Sequence, residues 1–339
     1  MEFNRPGYRE TSEVGRILMF SKEYLTELSN RSGFRPDSLQ KQMTLIDLLR
    51  EINRHPLLSK QFALKGGTAI NLFWFKLPRL SVDIDLNYIG SPDRETMLRD
   101  RPKLEQEVKK LIQSRGISVE NAPTEHAGAK WRLRAPNAFG GHFTLEVDLN
   151  FIMRVPVWGL EMMKPYPLDE DYDFNCNIVS FEELFAGKIK ALLDRSASRD
   201  LYDVYKLSES SMKYDAIKLR NNLILFGITC DDDWRKKDFR TIDEVNQKMI
   251  DEQLNPLLRT TELIDLDNMK KVSKEFISTF INYNKSELRF MDRFLDEGIY
   301  EPEHLFSDSM QAQRLRLHPA VLWKLQNHRK HLCLDNKNL

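Results

Sequence analysis

The sequence predicts an α+β fold, in which a small mixed β-sheet with flanking helices is followed by a helical C-terminal region. Two kinds of hydrophobic spacing lead to this prediction. Apolar and polar residues alternate over short segments between residues 61 and 152, which is typical of strands with one buried face. In the rest of the chain apolar residues recur at intervals of three and four, which is typical of amphipathic helices.

The chain divides into three parts on this pattern. Residues 1–55 are predicted to be a helical segment, because an apolar stripe runs up to Pro56. Residues 56–208 hold all the strand patterns and are predicted to be the α+β core. Residues 209–339 read as helices joined by polar turns, and we predict that they form a helical C-terminal domain.

Turn and capping residues delimit the elements of the core. Thr68 is expected to cap a helix that starts at Ala69, and Ser180 with Glu183 matches the sequence of a capping box. Proline and charged residues predict a loop over 154–174. The predicted strands cover about 61–65, 82–89, 129–134 and 142–152, and the predicted helices cover 93–115, a segment starting at Ser180, and 199–208.

The charge balance excludes a protein that binds nucleic acid through a global basic field. Lys plus Arg and Asp plus Glu are equal at 51 each, so the formal net charge is zero. Any contact with RNA would therefore need a local patch. The candidates from the sequence are Lys236, Lys237 and Arg240, or Arg314 and Arg316.

The cysteines and the apolar segments predict a cytoplasmic protein. Cys176, Cys230 and Cys333 are far apart without metal-binding spacing, which fits a reducing compartment. The N-terminus lacks the apolar run of a secretory signal, and no stretch approaches the roughly 20 apolar residues that a membrane helix needs.

The strand SVDIDLN carries the first candidate site residues. Because side chains two apart share a face of a strand, Asp83 and Asp85 face the same way, opposite Ile84. Two carboxylates about 5 Å apart repel by roughly 3 kcal/mol at an effective dielectric near 20, and a divalent cation reverses this repulsion. Magnesium fits, because it binds a few carboxylates together with phosphate oxygens. The alternative is an amphipathic strand whose acids face water.

A second strand, FTLEVDLNF, supplies a candidate for a third metal ligand. Glu146 and Asp148 share its polar face, opposite Leu145, Val147 and Leu149. We choose Asp148, with Glu146 as the alternative, because periodicity does not separate two residues on one face.

Lys65, Gly66, Gly67 and Thr68 stand between a predicted strand and a predicted helix. Glycines allow the backbone to approach a phosphate closely, and the first N–H groups of a helix bind anions. Thr68 adds a hydroxyl donor. A plain tight turn with an N-cap is the better explanation of this segment in isolation, but the acids fifteen residues later favour a nucleotide-binding turn.

Lys188 interrupts the apolar stripe of the helix SFEELFAGKIKALLDR. It lies four residues after Leu184 and four before Leu192, so it either extends to water or faces an anion. A triphosphate is such an anion, and Arg195 lies near the same helix face. Surface salt bridges are the alternative for this charged segment, whose further candidate site residues are Asp200 and Asp203.

The segments LKGGTAINLFWFKLPRLSVDIDLNYIG and ELFAGKIKALLDRSASRDLYDVYKL resemble the AbiEii/AbiGii nucleotidyltransferase toxins of bacterial toxin–antitoxin and phage-defence systems. The resemblance spans residues 60–208 and includes the strand with Asp148. Gly-Gly-Thr, Arg-x-Ser and Asp-x-Asp occur in that order in the first segment, and the second contains Lys188 and Arg-Asp-x-x-Asp.

The resemblance implies a DNA-polymerase-β-like nucleotidyltransferase core that uses magnesium, with manganese as the alternative ion. It implies transfer of a nucleoside monophosphate from an NTP to an acceptor hydroxyl, which in some relatives is a tRNA 3′ end, and it implies a cognate antitoxin. By motif, the triphosphate would bind Lys65, Gly66, Gly67, Thr68, Ser81, Arg195 and Asp203; the metal would bind Asp83, Asp85 and Asp148; and catalysis would use Asp83, Asp85, Lys188 and Asp200, with Arg79 as an accessory residue.

Two other hypotheses remain open at this point. A nucleotidyltransferase could modify a protein or a small molecule instead of RNA, or the chain could be a non-catalytic nucleotide-binding module. Metal-dependent nucleotide binding distinguishes the enzyme from the binding module, because the module could bind nucleotide without magnesium whereas the enzyme is expected to need it. Alanine at Asp83 or at Lys188 is expected to abolish transfer with little effect on folding.

Overall fold

The computed structural model describes residues 20–120, 128–168 and 173–331, and the chain forms two compact units. The predicted division into 1–55, 56–208 and 209–339 stays a prediction, as do those made for the N-terminus and for Cys333, which lie outside the described residues. The first unit comprises Met1–Arg154, Leu160–Ile178 and Asp251–Leu263; the second comprises Val155–Gly159, Val179–Ile250 and Ile264–Leu339.

A seven-stranded mixed sheet forms the centre of the first unit. Its order is β3-β4-β5-β2-β1-β7-β6, with parallel pairing of β2 to β5 and of β1 to β7, and antiparallel pairing of β3 to β4, β4 to β5 and β1 to β2. The strands are β1 Phe62–Lys65, β2 Asp83–Tyr88, β3 Ser118–Glu120, β4 Gly128–Pro136, β5 His142–Asn150, β6 Leu160–Met163 and β7 Cys176–Val179.

All four predicted strands are present, and the structure adds β3, β6 and β7. These three contain only three or four residues each, too few for an alternating pattern to be recognised. The segment 154–174, predicted to be a loop, therefore contains a strand.

The helices of the first unit cover the apolar face of the sheet. Lys109, in the helix Arg94–Ser114, lies over the ring of Trp131 in β4. Arg115, directly after that helix, forms ion pairs with Asp47 and Glu51 of the helix Pro36–Arg54. These two long helices therefore lie on the same side of the sheet. The opposite face of β4 and β5 carries their polar side chains. The helices are α1 Lys22–Ser32, α2 Pro36–Arg54, α3 Gly66–Ala69, which continues as a π-helix over Ile70–Trp74, and α4 Arg94–Ser114.

A distant segment, Asp251–Leu263, returns to the first unit and fixes the approach to β2. The Leu80 amide donates to the Leu257 carbonyl at 2.8 Å, and Ser38 Oγ in α2 donates to the Pro256 carbonyl. Because both hydrogen bonds join residues that are far apart in the sequence, no local sequence pattern predicts them.

The second unit is helical, as predicted for the C-terminal region. Within the described part of the chain no helix is long and apolar enough to cross a membrane. The helices are α5 Phe181–Asp194, α6 Ser198–Glu209, α7 Ala216–Gly227, α8 Arg240–Glu244, α9 Gln247–Met249, α10 Leu266–Ile281, α11 Lys285–Leu295, α12 Ser309–Leu315 and α13 Pro319–His331.

The N-terminus of α5 is capped by Ser180, as predicted, since the Ser180 hydroxyl accepts from the Glu183 amide at 3.3 Å. The buried Glu183 carboxylate accepts through Oε2 from the Val157 amide at 2.7 Å. A tertiary hydrogen bond thus joins the start of α5 to a residue that is distant in the sequence.

Candidate functional site

Strand β2 presents two aspartates on one face, as the alternation predicts. Asp83 and Asp85 are half-buried, whereas Ile84 and Leu86 between and after them are buried against the helices. The apolar face holds the strand in the core, so the orientation of the two carboxylates is fixed by the packing of their neighbours.

Strand β5 brings two further acids beside this pair. In the parallel register Asp83 stands opposite Glu146, and Asp85 stands opposite Asp148. Residues directly opposite in a sheet share a face, with Cβ atoms about 5 Å apart. The structure therefore gathers four carboxylates on one face, as predicted for Asp83, Asp85 and Asp148.

A lysine on β4 distinguishes the two candidate third ligands. Lys130 Nζ lies 2.8 Å from Glu146 Oε2, and this hydrogen bond raises the pKa of Lys130. Glu146 is thereby directed toward β4. Asp148, which lies in the row Lys65–Asp85–Asp148–Lys130 across four strands, stands directly beside Asp85.

The donor set on this face fits a magnesium ion. Asn87 continues the face of Asp85, and its buried Oδ1 has no hydrogen-bond donor among the described residues. Within those residues no three His, Cys, Asp or Glu side chains converge into a complete metal cluster. Magnesium does not need such a cage, because water and phosphate oxygens complete its octahedral coordination beside a few protein carboxylates.

The glycine turn lies against the second aspartate of the pair. Gly66 has φ +72°, a left-handed conformation that favours glycine, and a Cβ placed on it would lie 2.0 Å from Asp85 Oδ2. Lys65 pairs with Asp85 across β1 and β2. The turn and the carboxylate are therefore in direct contact, although nineteen positions separate them in the sequence.

Thr68 occupies a different position from the one predicted. The helix starts at Gly66 with Lys65 as its N-cap, so Thr68 lies inside the helix and caps nothing. Its buried hydroxyl lies 2.8 Å from Ser81 Oγ and donates to the main-chain carbonyl of Asp83. The Thr68 hydroxyl therefore anchors the turn to the start of β2 instead of capping the helix.

Sequence reasoning missed two residues that support this turn. The buried Gln42 in α2 accepts from the Ser81 amide through Oε1 at 2.7 Å, and the buried Asn71 donates from Nδ2 to the Gly67 carbonyl at 2.9 Å. Gln42 stands among Gln40, Lys41 and Thr44 in α2, so no local pattern distinguishes it from its polar neighbours. Arg79 is also buried and donates from Nη1 to the Leu80 carbonyl at 2.9 Å.

The remaining predicted site residues form a cluster within the second unit. Lys188 is 9% exposed in α5, and its Nζ lies 2.6 Å from Asp200 Oδ1 and 3.1 Å from Asp203 Oδ2. Both aspartates are buried on the α6 face that packs against α5. The lysine in the apolar stripe therefore faces anions, and these anions are carboxylates of its own unit.

Arg195 completes this cluster from the solvent side. Its side chain is 67% exposed, and its Nε and Nη2 lie 3.0 and 2.9 Å from Asp200 Oδ2. Burial opposes ionisation of Asp200, but the charges of Lys188 and Arg195 outweigh it and lower the pKa of Asp200 to about 2. The alternative of a surface salt-bridge network is wrong for Asp200 and Asp203, because both are buried.

The two basic patches suggested from the sequence are engaged in contacts within the protein. The contacts are Lys236 with Asp233 at 3.3 Å, Lys237 with Asp194 at 2.8 Å and with Asp232 at 3.0 Å, Arg240 with Asp238 at 2.8 Å, Arg316 with Glu303, and Arg314 with the Val157 carbonyl.

Comparison with known proteins gives a family match and likenesses to solved structures. A family model described as the nucleotidyl transferase AbiEii toxin of type IV toxin–antitoxin systems matches residues 47–281. The nucleotidyltransferase toxin MenT4 of Mycobacterium tuberculosis H37Rv has a similar structure, with a TM-score of 0.57 and 18% identity over 88% of this chain and 98% of that chain. This likeness confirms the predicted fold. A search of curated protein sequences gave no significant match.

Proposed function

The chain belongs to the AbiEii family of nucleotidyltransferase toxins of type IV toxin–antitoxin systems, and from this premise we propose that it transfers a nucleoside monophosphate from an NTP to the hydroxyl of an RNA acceptor. A tRNA 3′ end is the acceptor proposed, in a cytoplasmic setting and opposed by a cognate antitoxin. The single observation that carries the proposal is the contact between Gly66 and Asp85, which joins the glycine turn to the carboxylate face.

The glycine turn and the carboxylates have complementary tasks in such a reaction. Gly66 and Gly67 leave room for phosphate oxygens beside the backbone, and Lys65 adds a positive charge next to Asp85. Asp83 and Asp85 would hold magnesium, with Asp148 as the third ligand, and the bound ion would neutralise charge that develops on the phosphates.

The bond changes follow from the chemistry of phosphoryl transfer. The acceptor hydroxyl attacks the α-phosphorus in line with the bond to the bridging oxygen, that bond breaks, and pyrophosphate leaves. The hydroxyl proton passes to a carboxylate, for which Asp148 is the proposed acceptor because Lys130 engages Glu146. Positioning and charge neutralisation do most of the work, since the protein forms no covalent bond to the phosphate.

The roles of Lys188, Arg195, Asp200 and Asp203 stay predictions of the sequence. The buried ion pairs among them support a structural role within the second unit. A role in binding the triphosphate rests on the motif that they share with the family, and it requires a functional assay.

The proposal is tested by labelling. Purified protein is incubated with each α-labelled NTP, magnesium and total bacterial RNA, beside Asp83→Ala and the control Glu95→Ala, which removes an exposed acid from α4. We expect label on small RNA with the wild type and the control, and none with Asp83→Ala or with chelator. Label on a protein or a small molecule would replace RNA as the acceptor, and no label despite nucleotide binding would support a non-catalytic module.

A further inference from the structure

Strand β4 carries a row of three positive charges beside the carboxylate face. Lys130, Arg132 and Arg134 are exposed at alternate positions, while Trp131 and Leu133 between them are buried. All three cations therefore project from one face. The register places that face in line with the acids of β5 and β2, since Arg132 stands opposite Glu146 and Lys130 opposite Asp148.

Folding uses only part of this charge. Lys130 pairs with Glu146, but their side chains are 60% and 44% exposed, and exposed pairs contribute no more than about 1 kcal/mol. Arg132 makes no ion pair or hydrogen bond with its side chain among the described residues, although acids flank it in the sheet. Arg134 stands opposite Ser118 and Thr144, neither of which is acidic.

The one polar contact of Arg134 does not neutralise it either. Arg134 Nη2 lies 3.3 Å from His142 Nδ1, a contact that is favourable only when the imidazole is neutral and accepts. The stripe thus has at least two positive charges that are not neutralised by an ion pair within the sheet, in a chain whose formal net charge is zero.

We propose that Lys130, Arg132 and Arg134 form a phosphate-binding stripe that holds the backbone of the RNA acceptor beside the carboxylates. The inference rests on the proposed function and names the surface that its acceptor uses. The glycine turn follows β1, on one side of Asp85, whereas the stripe lies on the other side, beyond Asp148. The two anionic substrates would therefore approach the carboxylate pair from opposite sides.

The length and the charge of the stripe fit a few nucleotides of a single strand. Four residues of extended chain separate Lys130 from Arg134, which is about 13 Å. Contacts of this type recognise backbone phosphates and carry no sequence information. The stripe should therefore provide affinity, while the choice of RNA is made elsewhere.

The test is RNA binding without nucleotide. The affinity for a 5′-fluorescein single-stranded RNA of twelve nucleotides is measured by anisotropy at several KCl concentrations. One variant is Lys130→Gln/Arg132→Gln/Arg134→Gln. The control, Lys271→Gln/Lys285→Gln/Arg289→Gln, removes the same charge at three exposed side chains of the second unit, none of which is a candidate RNA contact.

We expect the stripe variant to bind on the order of tenfold more weakly and to lose about 2 from the slope of log K against log[KCl], because single strands release about 0.7 counterion per phosphate contact. The control should match the wild type. Equal loss in both variants, no loss in the stripe variant, or no RNA binding by the wild type would each overturn the proposal.

Two further measurements separate misfolding and failure of the proposed function from failure of the stripe. Arg132→Lys/Arg134→Lys keeps the charge, so it should retain the salt slope. Thermal unfolding of this variant and of the stripe variant reports any damage to the sheet. Because the binding assay contains no NTP, RNA binding through the stripe without transfer would contradict the proposed function alone. If the stripe variant transferred nucleotide to RNA as well as the wild type does, the result would contradict the proposed stripe and leave the proposed function intact.

Discussion

The Asp85 carboxylate lies directly over Gly66, so close that a Cβ on Gly66 would stand 2.0 Å from Asp85 Oδ2. This contact links the end of β1 to the centre of β2, and a side chain at position 66 would have to displace the Asp85 carboxylate. Glycine is therefore favoured for two reasons, its φ of +72° and the position of the carboxylate.

Gly66→Ala should displace the Asp85 carboxylate and lower nucleotide transfer by about a hundredfold, because misplacement by about 1 Å costs that much in catalysis. The free energy of unfolding should fall by about 1–2 kcal/mol from the left-handed backbone alone. Gly141→Ala is the matched control, since its φ is +74° and nothing lies within 4 Å of its Cβ. It should show a similar backbone cost and normal transfer. Equal activity of the two variants would remove the proposed role of this contact.

Asp148→Asn should reduce transfer on the order of a hundredfold or more, as expected when a proton acceptor and metal ligand is lost. Glu146→Gln should change it less than about fivefold, because it breaks only an exposed ion pair with Lys130. Initial rates at several magnesium concentrations measure both variants. A larger loss in Glu146→Gln would make Glu146 the third carboxylate.

Lys188→Met should lower the free energy of unfolding by about 3–5 kcal/mol, because it leaves two buried carboxylates without their shared cation. This changes the expectation from the sequence that Lys188 can be replaced with little effect on folding. Urea denaturation measures the loss. Adding Asp203→Asn should restore part of the stability, and transfer by this double variant tests the catalytic role of Lys188 separately from folding.

Asp200 should make folding stability dependent on pH in the acid range. Its pKa is lowered to about 2 in the folded protein from a usual 3.8, so its contribution is complete above about pH 5 and is lost as the pH falls toward 2. The contribution amounts to about 2 kcal/mol. The difference in unfolding free energy between wild type and Asp200→Asn, measured from pH 6 to pH 2, should shrink by this amount. A constant difference would mean that Asp200 does not titrate in this way.

Thr68→Val should cost about 1–3 kcal/mol in the free energy of unfolding, because the Asp83 carbonyl and the buried Ser81 hydroxyl lose a hydrogen-bond partner. Thr68→Ser keeps the hydroxyl and should retain most of the stability. Thermal unfolding compares the two. Equal stability of the valine and serine variants would show that this hydroxyl does not anchor the turn to β2.

Local patterns predicted much of the fold and part of the candidate site. Alternation over SVDIDLN and FTLEVDLNF placed Asp83, Asp85 and Asp148 on strand faces, because the side-chain period of a strand is independent of its neighbours. The helical stripe around Lys188 left open whether the lysine extends to water or faces an anion, and the structure shows it facing Asp200 and Asp203. The local pattern did not predict β3, β6 and β7, because they are too short to show a period. It also did not predict the hydroxyl contacts of Thr68, because these depend on where β2 lies.

The sequence by itself determined the longer helices and strands of the core and which side chains share a face of each, since these follow from backbone periodicity and the burial of apolar residues. The tertiary structure decided which faces meet. Register alone sets Asp148 beside Asp85 and aligns Lys130 with both, and strand pairing alone brings Gly66 against Asp85. Such pairings join residues far apart in the chain, and their free energy depends on the packing of the whole sheet rather than on any local pattern.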